Sequence, residues 1–138
     1  MNIRILAGAT AGAFLLAWSS AAGAADVAVS LTGDQEVPAV TTQAKGTGKI
    51  TIADDKHVSG SVKTTGVVGI MAHIHQAPAD KNGPVIIPLE KKGDDEWAVP
   101  AGAALTDDQY AAFKAGNLYV NVHSAEHKGG EIRTQLKP

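Results

Sequence analysis

No cysteine occurs in the 138 residues. Zinc fingers and iron–sulfur centres are excluded, since both are built on thiolates, and no disulfide can staple the fold. Any metal must be held by histidine, methionine or carboxylate, a donor set suited to copper or zinc. A surplus of positive charge is also lacking: 12 Lys and Arg stand against 14 Asp and Glu. No basic patch stands out, so a nucleic-acid partner is not expected. No Ser-His-Asp signature, nucleophile elbow or phosphate loop is visible. Asp54-Asp55 and Asp94-Asp95 fall in turn and loop segments and do not form a spaced glycosidase pair.

Long hydrophobic runs are missing beyond residue 24. Before it, Arg4 precedes an apolar run from Ile5 to Ala17, followed by Ser19-Ser20-Ala21-Ala22-Gly23-Ala24-Ala25. The run is about 13 residues, too short to cross a hydrocarbon layer of roughly 30 Å. Basic start, short apolar stretch and small residues predict a secretory signal peptide over residues 1–24, with cleavage after Ala24. What remains is 138 − 24 = 114 residues, one domain over 25–138 with length enough for a core. Only Arg4 is lost from the charges, leaving 12 − 1 = 11 basic against 14 acidic residues. The expected location is the periplasm of a Gram-negative bacterium or the extracellular medium, with no membrane association after cleavage.

What is present is mostly short strand-like segments. Asp26–Thr32 alternates apolar and polar residues, as do Gly46–Ile52 and Val58–Thr64, the last two joined by Asp54-Asp55-Lys56 as a hairpin. Further strands are expected at Met71–His75, Val85–Leu89, around Trp97 and Val99, at Leu118–His123 and at Gly130–Leu136. Glu90-Lys91-Lys92-Gly93-Asp94-Asp95 reads as a solvated loop. One helix is expected, with Thr106 as N-cap, Gln109 closing a capping box and Gly116 ending it. No βαβ alternation appears. The fold class is therefore all-β: an antiparallel, Greek-key-like β-sandwich of seven or eight strands with one short helix. Trp97, Tyr110 and Phe113 are expected in its core.

The chemistry concentrates in Met71-Ala72-His73-Ile74-His75. Alternation puts Met71, His73 and His75 on one face and Ile70, Ala72 and Ile74 on the other. Two residues apart, His73 and His75 have Cα atoms roughly 6.5–7 Å apart, close enough for both rings to lean onto one ion. In Leu118–His123, Tyr119, Asn121 and His123 share the second face. If the two strands are neighbours, His73, His75 and His123 converge as ligands of one transition metal, with copper ahead of zinc. His127 is added as a candidate fourth ligand. Met71 is a candidate soft ligand or, more plainly, core filler. Gln35, Glu36 and Glu131 are candidates to orient the imidazoles, or else build turns. Arg133 is either a cation drawing an anion such as superoxide toward the metal, a catalytic role, or the ion-pair partner of Glu131. His57, beside a hairpin turn, is expected to be exposed.

Leu31-Thr32-Gly33-x-Gln35-Glu36-Val37-Pro38, Ala72-His73-Ile74-His75, Asn82-Gly83-Pro84-Val85, Trp97-x-Val99-Pro100, Ala115-Gly116-x-Leu118-Tyr119-Val120-Asn121-Val122-His123 and Gly129-Gly130-Glu131-Ile132-Arg133-x-Gln135-Leu136 together resemble the CHRD (chordin) domain family over nearly all of the segment after residue 24. That resemblance implies a secreted domain, and in chordin an extracellular antagonist of growth factors, hence a protein-interaction module. A second, fainter similarity is to Cu,Zn superoxide dismutase. His73 and His75 match its H-x-H copper ligands and His123 its late copper histidine. It implies a superoxide-dismutase-like sandwich and, as activity, a copper-dependent oxidoreductase. The chain departs from that enzyme in three ways: it lacks the metal-bridging histidine, a zinc-ligand cluster after the H-x-H strand and the disulfide cysteines. Only a copper-only version is implied, with non-enzymatic copper binding or storage as the alternative. Thr134 stands where the CHRD family usually has Gly, and His127-Lys128 where Pro often precedes the glycines, which puts an extra potential ligand near His123.

Overall fold

The computed structural model describes residues 23–138. The expected signal peptide lies, but for its last two residues, outside the described residues. Nine strands and one α-helix follow in order: β1 Ala24–Leu31, β2 Lys45–Ala53, β3 Val58–Thr65, β4 Gly69–Gln76, β5 Val85–Pro88, β6 Glu90–Gly93, β7 Glu96–Ala98, α1 Asp107–Lys114, β8 Leu118–Ser124 and β9 Ile132–Leu136. They form two antiparallel sheets, β1-β2-β3-β7-β6 and β5-β4-β8-β9, as an all-β sandwich requires. The chain lays down β1 to β3 as a meander, crosses for the β4–β5 hairpin, returns for β6–β7, and crosses again through α1. β8 then enters between β4 and β9.

The alternating strands pack as their sequence pattern dictates. Val27, Val29 and Leu31 of β1 and Ile50 and Ile52 of β2 point inward, meeting Ala72 and Ile74 of β4 and Val120 and Val122 of β8 in one buried cluster. Each of the valine, leucine and isoleucine side chains contributes roughly 1.5–3 kcal/mol through removal from water. Trp97 and Phe113 belong to that cluster, with Tyr110 packed against it. The helix begins as its residues demand: the Thr106 hydroxyl accepts from the Gln109 backbone N–H while the Gln109 side chain accepts from the Thr106 N–H, and Asp107 and Asp108 face the positive end of the helix dipole.

Two expectations need correction. Glu90–Gly93 is strand β6, paired with β7 at the margin of the larger sheet, and not a loop. Every residue in it is exposed, so it carries no apolar alternation to betray it; charged side chains on a marginal strand are a known guard against edge-to-edge association. Ile70 does not join Ala72 and Ile74 inside. It is 45% exposed, because the β4–β8 register shifts between Gly69 and Met71 and turns Ile70 outward.

Candidate metal centre

β4 and β8 are neighbours, and their register sets Met71 opposite His123, His73 opposite Asn121 and His75 opposite Tyr119. The non-core face of this sheet is therefore a block of polar residues. It does not face open water. Strand β8 is buried at every position, so its second face must be roofed, and three connections do so. Thr32 pairs with Arg133 through two backbone hydrogen bonds, which carries Glu36 over the sheet beside Asn121. The β4–β5 loop is tied down by Arg133, whose guanidinium donates to the Pro78 and Lys81 carbonyls and to Asn82 Oδ1. The β8–β9 loop closes the third side, and the Gly129 carbonyl accepts from Asn121 Nδ2.

Under this roof the three histidines meet. His73 Nδ1 lies 3.0 Å from His123 Nε2, and the ring centroids of His73 and His75 are 5.4 Å apart. One donor nitrogen from each ring lies within 4.8 Å of the other two. Nitrogens on one trigonal or tetrahedral ion at about 2.0–2.1 Å are roughly 3.4–3.6 Å apart, so ring shifts of up to about 1.4 Å close the site.

Protonation is dictated by the roof. His75 Nδ1 is 2.9 Å from the Gly83 carbonyl and His123 Nδ1 is 2.7 Å from the Lys128 carbonyl. A carbonyl only accepts, so each Nδ1 donates, and in the neutral ring the lone pair is left on Nε2. The Nε2 lone pairs are thereby left free of these carbonyls, and that of His123 meets His73 Nδ1. His75 Nε2 is buried with no hydrogen-bond partner, and an unpartnered polar atom in a core is costly unless a ligand uses it. Burial, followed by the two neighbouring imidazoles, pushes the pKa of His73 down to about 4. Burial also lowers that of His75, against the opposing pull of the Gly83 carbonyl and of the neighbouring Asn121 side chain. His73 and His75 are thus held as neutral nitrogen donors, the state in which imidazole binds metal.

The remaining expected site residues fall elsewhere. Arg133 is 1% exposed and does not pair with Glu131. Its Cζ sits 3.4 Å from the centre of the Tyr119 ring, and Tyr119 stacks on His75 with centroids 4.6 Å apart and planes 2° from parallel. Arginine, tyrosine and histidine thus form one column, held by cation–π attraction and ring stacking. Arg133 bears on the centre by pinning the loop that supplies the Gly83 carbonyl. Met71, 45% exposed, is not core filler; it sits across from His123 at the rim. His127 groups with Glu126 and Glu131 and not with the three histidines. Gln35 builds a turn by donating to the Ser30 carbonyl and Thr32 Oγ1. Glu36 accepts from Asn121 and Glu131 from Thr42 and Ser124, so neither orients a ring. His57 is exposed beside Asp55.

Sequence reasoning missed the two backbone carbonyls and Tyr119. Tyr119 carried a signal, since it shares the alternating face with Asn121 and His123. Gly83 carried a weaker one: a Cβ there would meet the Gln76 carbonyl oxygen at 1.9 Å, so the loop approaches the strand as only glycine permits.

Residues 27–136 match the CHRD domain family, and the chain belongs to that family. No curated protein and no solved structure gives a significant match to the chain.

Proposed function

We propose that this CHRD-domain chain is exported to the periplasm or beyond the cell and binds one copper ion through His73 Nδ1, His75 Nε2 and His123 Nε2. The observation that carries the reading is the convergence of the three rings, with the Nδ1 atoms of His75 and His123 tied to the Gly83 and Lys128 carbonyls and His75 Nε2 buried without a hydrogen bond. Neutral imidazole donors favour copper above other divalent first-row ions, and zinc follows it. Export rests on the leader-like residues 1–24. Among the described residues no helix is long and apolar enough to cross a membrane.

Three protein donors leave room for an outside ligand, and His73 is only half-buried. That access favours a second reading, superoxide dismutation, in which two superoxide anions and two protons become one dioxygen and one hydrogen peroxide. A bound copper ion would supply the one-electron exchange. This chain's part is to hold three imidazole donors and to exclude water on the roofed side. Arg133 gives no surface cation for steering, since it is enclosed.

The test is copper(II) titration of purified protein beside a His73→Ala/His75→Ala/His123→Ala variant, with dismutation assayed on both. One tightly held copper in the parent and none in the variant supports the site. Equal uptake by both disposes of it. Copper binding without turnover selects storage or transfer over dismutation.

A further inference from the structure

At one end of the sandwich the β1–β2, β3–β4 and β8–β9 connections meet around a cleft of about 360 Å³. Glu126, His127 and Glu131 line it, and one donor atom from each lies within 4.8 Å of the other two. Glu131 is 5% exposed. Its two oxygens accept separately from the Ser124 and Thr42 hydroxyls, at 2.8 and 2.9 Å, which fixes the carboxylate plane. Ser124 Oγ also accepts from the His127 backbone N–H at 3.1 Å, so one hydroxyl sets the positions of two of the three groups. Among the described residues no Lys, Arg or His nitrogen stands within ion-pair distance of Glu131. A buried carboxylate with hydroxyl donors but no countercharge is the environment that a coordinated cation completes.

We propose that Glu126, His127 and Glu131 form a second metal site, for a borderline divalent cation such as zinc. Two carboxylate oxygens and one imidazole nitrogen, with water completing the shell, suit that class. Calcium is disfavoured, since its sites are built from oxygen alone and from more ligands. The hydroxyls of Ser124 and Thr42 serve as the outer contacts that orient Glu131. His127 thereby belongs to this site rather than to the three-histidine centre.

The test uses the full chain, stripped with chelator, carrying His73→Ala/His75→Ala/His123→Ala so that the first centre is silent. Zinc is titrated against a chromophoric chelator. The expected result is one zinc per chain, with affinity falling at least about 100-fold on adding His127→Ala and Glu126→Gln, since even outer-shell changes cost 10–100-fold. Both added changes lie at positions that are not fully buried, so folding is retained. If the triple variant does not fold, copper is first loaded into the parent protein and zinc is then titrated beside His127→Ala/Glu126→Gln. No zinc bound, or zinc bound equally without His127 and Glu126, overturns the second site. Failure of the first centre shows separately, as copper uptake that the triple variant retains.

Discussion

The two sheets of this sandwich use the same alternation for different ends. In the larger sheet β1 runs exposed and buried in turn, so its outer face meets water and carries lysines, threonines and serines. Along β8 in the smaller sheet the same apolar–polar alternation appears in the sequence, yet every residue is buried. The polar face there is enclosed by loops, and each polar group in it must find a partner. An outward polar side chain on the first sheet is replaceable; one on the second is a member of a network whose loss strands its neighbours.

The sharpest way to break that contrast is to alter the centre itself. His75→Ala is expected to weaken copper binding by at least about 100-fold, judged from the 10–100-fold cost of outer-shell changes alone; isothermal titration reads it directly. Next is Arg133→Ala. It strips two carbonyls and Asn82 Oδ1 of their donor and uncovers Tyr119. A loss of about 3 kcal/mol in urea unfolding is expected from buried polar groups left unpaired.

Glu36 offers a pH-resolved test. Burial, the largest effect, raises its pKa from 4.5 to about 7, with the Asn121 hydrogen bond and Arg133 opposing. Below pH 4.5 the group is protonated in both folded and unfolded chains. Between 4.5 and 7 the unfolded chain gives up its proton first, so stability falls as pH rises and levels off above that window. Glu36→Gln keeps an acceptor for Asn121 and is expected to leave stability unchanged at pH 4 while raising it by up to about 3 kcal/mol at pH 8, since each unit is worth about 1.36 kcal/mol. Parallel unfolding curves at the two pH values check it.

On the larger sheet the smallest effects are expected. Lys49 stands 3.8 Å from Asp26, both about 60% exposed, and Lys49→Ala should shift stability by less than about 0.5 kcal/mol. His57→Ala, in the turn joining β2 to β3 at the edge of that face, should be equally mild and leave copper binding unchanged. A large loss from either would show that the first sheet's outer face is not the tolerant surface its exposure implies.

The elements most legible in the sequence were those where one face meets oil and the other water. Alternation located β1, β2, β3 and β8, and the capping box at Thr106 and Gln109 located the helix. The convergence of His73, His75 and His123 followed from their shared face and from β4 lying beside β8. What escaped was of two kinds. β6 lacks any buried side chain, so hydrophobic pattern is silent there. The partners of the histidines are main-chain carbonyls, which every residue possesses, so no residue type marks them. The enclosure of Arg133 was hidden for a related reason: which loops fold back over a face depends on where they are anchored, and here the Thr32–Arg133 bridge decides it.

Because Gly83 and Lys128 act through their main-chain oxygens, the centre has an uneven sensitivity to inherited change. Lys128 can drift to almost any amino acid and still present the same oxygen; Gly83 alone is constrained, by the closeness of Gln76. Changes in loop length are another matter. A single residue inserted or deleted between Gln76 and Val85, or between Ser124 and Glu131, would slide a different carbonyl under the ring and turn the lone pair away. Related chains that keep the three histidines but differ in either span should therefore have lost the centre, however similar they look letter by letter.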